Sequence, residues 1–145
     1  MNAEKFLCQY QDSKARLRRL EEERQGIRDL VTHITPGYGS VSVRHDPNLQ
    51  KIPDAIIRLE ELDKKYSEES RRAVDLMGQI HDAIYTIPDE KARDILILYY
   101  IMGKTHKEIV YDLQISSGTE RQRFKQGMEQ IQAVVSSDLN QIDIV

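Results

Sequence analysis

The sequence predicts an all-α protein: a long antiparallel helical hairpin, coiled-coil-like, followed by a compact helix-turn-helix domain. Two apolar series spaced by three and four residues predict the hairpin. A shorter and denser apolar pattern after residue 87 predicts the compact domain. Apolar residues make up 39% of the chain and charged residues 31%, with two Phe and no Trp, so the composition favours thin helical packing over a thick globular core.

The first apolar series predicts one long helix over residues ~3–34. Its positions step by four and three residues, as in a heptad seam. The series consists of Phe6, Tyr10, Ser13, Leu17, Leu20, Arg24, Ile27, Val31 and Ile34.

A mobile linker is predicted over residues ~35–52, because Pro36, Gly37, Gly39 and Pro47 remove the preference for helix. A second helix is predicted over residues ~53–87 from another series with the same spacing. This series consists of Ala55, Leu59, Leu62, Tyr66, Glu69, Ala73, Leu76, Ile80, Ala83 and Ile87.

Residues 1–87 are therefore predicted to form the hairpin, since two apolar stripes of similar length can bury each other. The stripes can pair within one chain or between two chains, and the sequence leaves both arrangements open. The seam includes the polar residues Ser13, Arg24 and Glu69. Polar seam residues usually cost stability and fix the register or the number of partners.

Residues 88–135 are predicted to form the compact domain. Pro88 suits the first position of a new helix, and Gly103 suits the position just after its end. Thr105 and Glu108 have the spacing of a capping box at the start of the next helix.

The second helix of this domain places Ile109 and Leu113 inward, and Ile115 fills the turn that follows. The last helix is predicted to run to Val135, with an apolar stripe along one side. That stripe is Phe124, Met128, Ile131 and Val135. Residues 136–145 are predicted to be a frayed acidic tail.

Two helices joined by a short turn, with an amphipathic second helix, are what a helix-turn-helix needs to read double-stranded DNA. Arg121 can pair with guanine and Gln122 with adenine, while neighbouring polar residues can bind phosphates. The candidate DNA-binding residues are Lys104, Thr105, Lys107, Ser117, Gly118, Thr119, Arg121, Gln122, Arg123 and Lys125. The same pattern also fits the solvated side of a three-helix bundle.

The charge of the chain limits how strongly it can bind DNA. Its formal net charge is -3, and residues 103–131 hold five Lys or Arg against four Asp or Glu. Binding by this segment alone is therefore expected to be weak and sensitive to salt.

The segment "RDILILYYIMGKTHKEIVYDLQISSGT" resembles the DNA-binding region 4 of bacterial sigma factors and of phage late-transcription regulators of the ArpU and RinA kind. The residues that carry the resemblance include Gly103, Lys104, Thr105, Glu108, Ile109, Leu113, Ile115, Ser116 and Thr119. Residues 3–131 also resemble a group of Gram-positive prophage proteins, through the stretch "HITPGYGS" and the "IPD" break. The resemblance implies a sigma-region-4-like helix-turn-helix that binds DNA and, as a further partner, RNA polymerase.

Members of that group carry apolar or aromatic residues where this chain has Glu120 and Arg123. The difference implies a rotated or tilted recognition helix, with Phe124 left to do the packing. Gly118 stands in place of a bulkier residue and lowers helix propensity by about 1 kcal/mol relative to Ala.

Catalysis is not expected, because no constellation of convergent polar residues is visible. The four His residues are scattered, and HExxH and CxxC motifs are missing, so the sequence predicts neither metal site nor cofactor. The single Cys8 fits a reducing cytosol. No apolar run approaches the length of a membrane span, so we expect a soluble protein in the cytoplasm of a bacterial host.

The sequence thus favours a sequence-specific transcriptional regulator of phage or prophage genes, with the hairpin as a dimerisation arm or a polymerase contact. A second hypothesis is an interaction protein whose hairpin binds a host or phage protein. A third is a DNA-packaging component that resembles a small terminase subunit.

Overall fold

A computed structural model describes residues 2–34 and 51–143 of the chain. Five α-helices make up nearly all of this part: α1 (Ala3–Ile34), α2 (Lys51–Tyr85), α3 (Glu90–Leu96), α4 (His106–Leu113) and α5 (Ser117–Asp143). A π-helical turn (Ile97–Ile101) follows α3 directly. No strand occurs in the described residues, so the predicted all-α class is confirmed there. The predicted linker at residues ~35–52 lies almost wholly outside the described residues.

The described residues form two compact units, which consist of residues 2–13 with 73–143 and residues 14–34 with 51–72. In the second unit, α1 and α2 run antiparallel. Arg16 binds Glu69 at 2.9 Å, and Arg24 binds Asp63 at 2.7 Å. The later residue of α1 thus pairs with the earlier residue of α2, as expected for antiparallel helices. The two long helices therefore pack against each other within one chain.

Arg24 shows how a polar seam residue is accommodated in this unit. Its Nε donates to Asp63, its Nη1 donates to Glu21 at 2.9 Å, and its guanidinium lies 4.4 Å from the centre of the Tyr66 ring. Glu69, the other charged seam residue, accepts from Arg16. Both charges are therefore matched inside the chain, and neither needs a second chain as its partner.

The first unit has an apolar core that gathers the beginning of α1, the end of α2 and the C-terminal helices. Its buried residues are Ala3, Leu7, Ile80, Ile84, Ile87, Ala92, Leu96, Tyr100, Ile131 and Val135. Two side-chain bonds connect distant parts of this unit. The Gln11 amide donates to the Tyr100 carbonyl at 2.6 Å, and the Ala3 N–H donates to Gln132 Oε1 at 2.8 Å.

The start of α3 differs from the prediction. Pro88 lies before the helix and not at its first position: Asp89 is the N-cap, and its carboxylate accepts the Lys91 N–H at 3.0 Å. A carboxylate at the N-cap satisfies one of the free N–H groups of the first turn, which proline cannot do. The π-helical turn ends before Gly103, whose φ of 72° is left-handed, so the predicted role of this glycine is confirmed.

Two further predictions in this region are wrong. Leu113, the last residue of α4, is 36% exposed, whereas Ile109 is fully buried. The last helix also continues past Val135 to Asp143, so the predicted frayed tail is helical over most of its length. None of the described helices is both long enough and apolar enough to cross a membrane.

Candidate nucleic-acid interface

Helix α4 begins at a local cap. The Thr105 hydroxyl accepts the Glu108 N–H at 3.2 Å and donates to the Glu108 carboxylate, also at 3.2 Å. The predicted N-cap is therefore confirmed. Since both of these groups are engaged with each other, the start of α4 is fixed by residues that lie within its own first turn.

The turn between α4 and α5 is fixed in the same local way. Gln114 ends α4 in the left-handed conformation, with φ 55° and ψ 45°. Ser116 then stands immediately before α5, where its hydroxyl oxygen accepts the Thr119 N–H at 3.1 Å. The same hydroxyl donates to the Thr119 side chain at 2.7 Å. These bonds set the direction in which α5 leaves the turn.

Glu120 is the unexpected residue of α5. It is only 4% exposed, and its Oε1 lies 2.7 Å from Nδ1 of His106, the first residue of α4. A carboxylate only accepts hydrogen bonds, so the His106 Nδ1 carries the proton and donates it. The pair joins the beginnings of the two helices. Glu120 therefore points into the domain and is unavailable to DNA.

An aromatic cluster lies beneath this pair. Phe124 packs edge-on against Tyr99 and His106, with ring centres 5.2 Å and 4.9 Å apart. Tyr99 stacks on His106 at 4.5 Å, and Tyr100 is nearly fully buried. Phe124 thus packs as expected, but it shares the inner side of α5 with Glu120.

Most of the predicted DNA-binding residues lie at the surface. Three of them, Lys104, Thr119 and Arg123, are partly buried. The exposed ones are Thr105, Lys107, Ser117, Gly118, Arg121, Gln122 and Lys125. On α5 the helical period places Gly118, Arg121, Gln122 and Lys125 on the side away from Glu120 and Phe124.

Most acidic side chains of segment 103–131 make polar contacts inside the domain. Glu120 is bound by His106, Asp112 by the Lys104 ammonium, and Glu108 by the Thr105 hydroxyl. The hydrogen bond that the Lys104 ammonium donates to Asp112 also raises the pKa of Lys104 above its ordinary value. Three of the four acidic residues in segment 103–131 are therefore engaged inside the domain.

The remaining cations of the segment are Lys107, Arg121, Arg123 and Lys125. Within residues 2–34 and 51–143, none of the four takes part in an ion pair. None of these four charges is therefore paired directly with a carboxylate, and we call the part of the domain surface that carries these four residues the positive surface.

A crevice of about 350 Å³ lies between the beginnings of α4 and α5. Cationic side chains from both helices line it together with apolar groups. The lining residues are His106, Lys107, Val110, Ser117, Glu120, Arg121 and Phe124. The crevice brings Lys107 of α4 and Arg121 of α5 to one site, so the two helices present their cations together.

Two contacts of this site were not predicted from the sequence. His106 and Glu120 are 14 residues apart, and Lys104 and Asp112 are eight residues apart. Neither spacing lies within one helix, so no helical periodicity signals the contact. The only sequence signal was Glu120 itself, a charged residue at a position where the resemblance stated above leads one to expect an apolar residue.

Comparison with known proteins supports the helix-turn-helix. No curated protein and no solved structure matches the chain. The C-terminal part, residues 89–133, matches the family model described as Sigma-70, region 4. Helices α3 and α4, most of α5 and the positive surface all fall within the matched residues. The match indicates that this part of the chain is a DNA-binding helix-turn-helix of the kind found in region 4 of sigma factors.

Proposed function

We propose that the protein is a sequence-specific DNA-binding regulator of transcription that acts on phage or prophage genes, including late genes. It acts in the cytoplasm of a Gram-positive host and is not an enzyme. Double-stranded DNA is the partner of the helix-turn-helix. The helical hairpin serves for oligomerisation or for contact with RNA polymerase.

The observation that carries this proposal is the exposed, unpaired side of α5 within the region 4 match. Arg121, Gln122 and Lys125 are exposed there, and the two cations have no carboxylate partner among the described residues. A purely structural helix surface more often balances its charges with neighbouring residues of opposite sign. Between Ser117 and Lys125 the one acidic residue of α5, Glu120, lies instead on the inside, and the next acidic residue, Glu129, is exposed.

The geometry suggests how the domain reads DNA. The N-terminal half of α5 enters the major groove, where Arg121 binds a guanine and Gln122 binds an adenine. Lys107, from the beginning of α4, binds a neighbouring phosphate and fixes the orientation of the domain. Each good base contact contributes about 1–3 kcal/mol to discrimination between bases.

The assignment to phage genes rests on the resemblance of residues 3–131 to Gram-positive prophage proteins. The stretch "HITPGYGS" and the "IPD" break carry this resemblance in addition to the helix-turn-helix. The genes that lie beside the coding sequence provide a direct check. A position just before the terminase genes supports control of late genes.

The central experiment measures binding of the full chain to fragments of its own prophage DNA at ~50 mM salt, because low salt favours phosphate contacts. We expect one or a few fragments to be retained. The double substitution Arg121→Ala with Gln122→Ala should lower the affinity for these fragments by about 10- to 100-fold or more.

The matched control is Arg19→Ala with Gln25→Ala, which removes the same two chemical groups from exposed positions on α1. It should leave the affinity for the retained fragments unchanged. If no fragment is retained at low salt, or if both double variants weaken binding equally, α5 does not read DNA. Ring-sized oligomers in solution would instead favour a DNA-packaging role.

A further inference from the structure

Helix α2 has a second stripe on the side that does not face the core. Val74, Met77, His81 and Tyr85 follow one another at spacings of three and four residues, so they lie on one side of the helix. All four are exposed, Val74 to 64% and Tyr85 to 52%. The buried residues of the same segment, such as Leu76, Ile80 and Ile84, lie on another side. We call the exposed series the outer stripe.

The outer stripe contains no Asp, Glu, Lys or Arg. Its aromatic end is held in place: the His81 ring stacks on Tyr85 at 4.3 Å, and the Arg93 guanidinium lies 5.0 Å from the centre of the Tyr85 ring. A side chain that is already ordered loses little entropy when another surface packs on it. The stripe therefore has the properties of a preformed contact surface.

The sequence left open whether the seam residues pair within one chain or between two, and in the structure α1 and α2 pack on each other within the chain. A dimer must therefore use another surface. We propose that the outer stripe binds the outer stripe of a second copy of this chain, in an antiparallel arrangement with a two-fold axis near residues 79 and 80. The proposal rests on the proposed function, because a dimer brings together two DNA-reading helices.

The stripe is self-complementary about that axis. Val74 of one copy meets Tyr85 of the other, and the residues around Gly78 meet His81. A Cβ at Gly78 would meet no atom of another described helix within 4 Å, so this position leaves room for the backbone of a second helix. Because of the two-fold symmetry, each of these contacts occurs twice in the dimer.

The charges beside the stripe also match. Asp75 lies next to Val74, and Arg93 lies on Tyr85, so the arrangement that pairs Val74 with Tyr85 brings Asp75 of one copy to Arg93 of the other. Within residues 2–34 and 51–143, neither Asp75 nor Arg93 has an ion-pair partner. Two such pairs form across the two-fold axis, and they favour the antiparallel orientation over the parallel one.

The size of the stripe sets the strength of the association. A helical segment of 12 residues, from Val74 to Tyr85, is about 18 Å long. It covers less surface than the ~800 Å² that each partner contributes to a standard interface. We therefore expect a weak dimer with a dissociation constant on the order of 10 µM or more. DNA that carries two half-sites strengthens it by holding both copies close together.

The first test measures self-association of the full chain by sedimentation velocity, from a few micromolar to several hundred micromolar. We expect a shift from monomer to dimer, which Val74→Lys abolishes. The matched control Ile57→Lys changes another exposed apolar residue of α2, which is 55% exposed, and should leave the dimer intact. A chain that stays monomeric at every concentration, with and without two-site DNA, overturns the proposal, as does a dimer that survives Val74→Lys.

The second test checks the orientation. Asp75→Arg and Arg93→Asp should each weaken the dimer at least several-fold, whereas the double variant should restore it. In a Cys8→Ser background, a short bismaleimide should link Gly78→Cys chains in pairs and leave Gly26→Cys chains unlinked, since both glycines lie in open parts of long helices. No recovery in the double variant, or no link at position 78, overturns the antiparallel arrangement.

A failure of the dimer proposal can be distinguished from a failure of the proposed DNA-binding function. Val74→Lys should still bind a DNA fragment with a single half-site as tightly as the unchanged chain, because residue 74 lies outside the matched region 89–133. If the unchanged chain does not bind DNA, the proposed function is contradicted. If the unchanged chain binds the single half-site but forms no dimer, only the proposal for the outer stripe is contradicted.

Discussion

His106 donates a hydrogen bond of 2.7 Å to Glu120, and the bond joins the first residue of α4 to the inner side of α5. The carboxylate is nearly fully buried, whereas the imidazole is about half exposed at 49%. The two residues therefore contribute unequally. Glu120 depends on His106 for its hydrogen bond, while His106 can also be hydrated by solvent.

His106→Ala should reduce the free energy of unfolding by about 1–3 kcal/mol, because it leaves a buried carboxylate without its donor. Adding Glu120→Leu removes that carboxylate, so the double variant should be more stable than His106→Ala alone. Urea denaturation of the four proteins gives the coupling between the two positions. Simple addition of the two single effects would show that the pair does not hold the helices together.

Asp112→Asn should strengthen DNA binding, because it releases Lys104 from its ion pair and adds a cation to the positive surface. The slope of log affinity against log salt concentration should become steeper by about one unit. Lys104→Ala should weaken binding less than Lys107→Ala does, since only Lys107 is unpaired. Salt titrations of DNA binding measure both effects, and an equal loss from the two lysine substitutions would contradict the prediction.

Burial raises the pKa of Tyr100 well above its ordinary value, with smaller contributions from Cys8, Tyr99 and Glu4. The unfolded chain therefore releases this proton first when the pH rises above about 10. Stability present below that pH is lost as the pH rises further, by up to about 1.4 kcal/mol per pH unit for this one proton.

Tyr100→Phe should remove this contribution to the loss of stability at high pH. Chemical denaturation between pH 8 and about 11 should then show a smaller slope of the free energy of unfolding against pH. The control Tyr111→Phe makes the same chemical change on a side chain that is 83% exposed, and its slope should equal that of the unchanged chain. Equal slopes for all three proteins would show that Tyr100 ionises as readily in the folded state as in the unfolded state.

Gly127→Ala should destabilise the protein, whereas Gly26→Ala should stabilise it. A Cβ at Gly127 would lie 2.9 Å from Leu96 Cδ1, and Leu96 is fully buried and has little room to move. A Cβ at Gly26 meets nothing within 4 Å, so alanine there gains helix propensity of about 1 kcal/mol. At Gly127 the clash should outweigh the same gain in helix propensity, so we expect the free energy of unfolding to fall by about 1 kcal/mol. Thermal unfolding should show shifts of opposite sign, and a stabilising Gly127→Ala would mean that α3 and α5 can separate slightly.

The long helices could be predicted from the sequence because their apolar spacing is regular over many turns. Leu62, Ala73, Leu76 and Ile80 lie in the predicted series and are buried. Leu7 and Ile84 are also fully buried, although they lie outside the series. They belong to the unit where α1 and α2 also meet the C-terminal helices, and contacts with distant elements widen the buried side beyond a two-helix seam.

The candidate site could be predicted in its outline but not in its internal contacts. The cap at Thr105 and the left-handed Gly103 depend on neighbouring residues, so they were visible in the sequence. The burial of Glu120 depends on His106, which another helix supplies. A pattern that scores each helix separately assigns a charged residue to the outside and misses such a pair.

The π-helical turn at Ile97–Ile101 has a consequence for how this chain tolerates changes in length. The Met102 N–H binds the Ile97 carbonyl, five residues back, so this turn holds one residue more than an α-helical turn would. Loss of a single residue here would allow ordinary α-helix to form with every backbone group still bonded. The direction of the chain after the turn would change little, because the Ile97 carbonyl and the Met102 N–H would close the turn in both cases. A one-residue deletion in this turn should therefore be less harmful than a one-residue deletion near the start of α5, which would rotate the rest of that helix by about 100° and turn its exposed side away from its present direction.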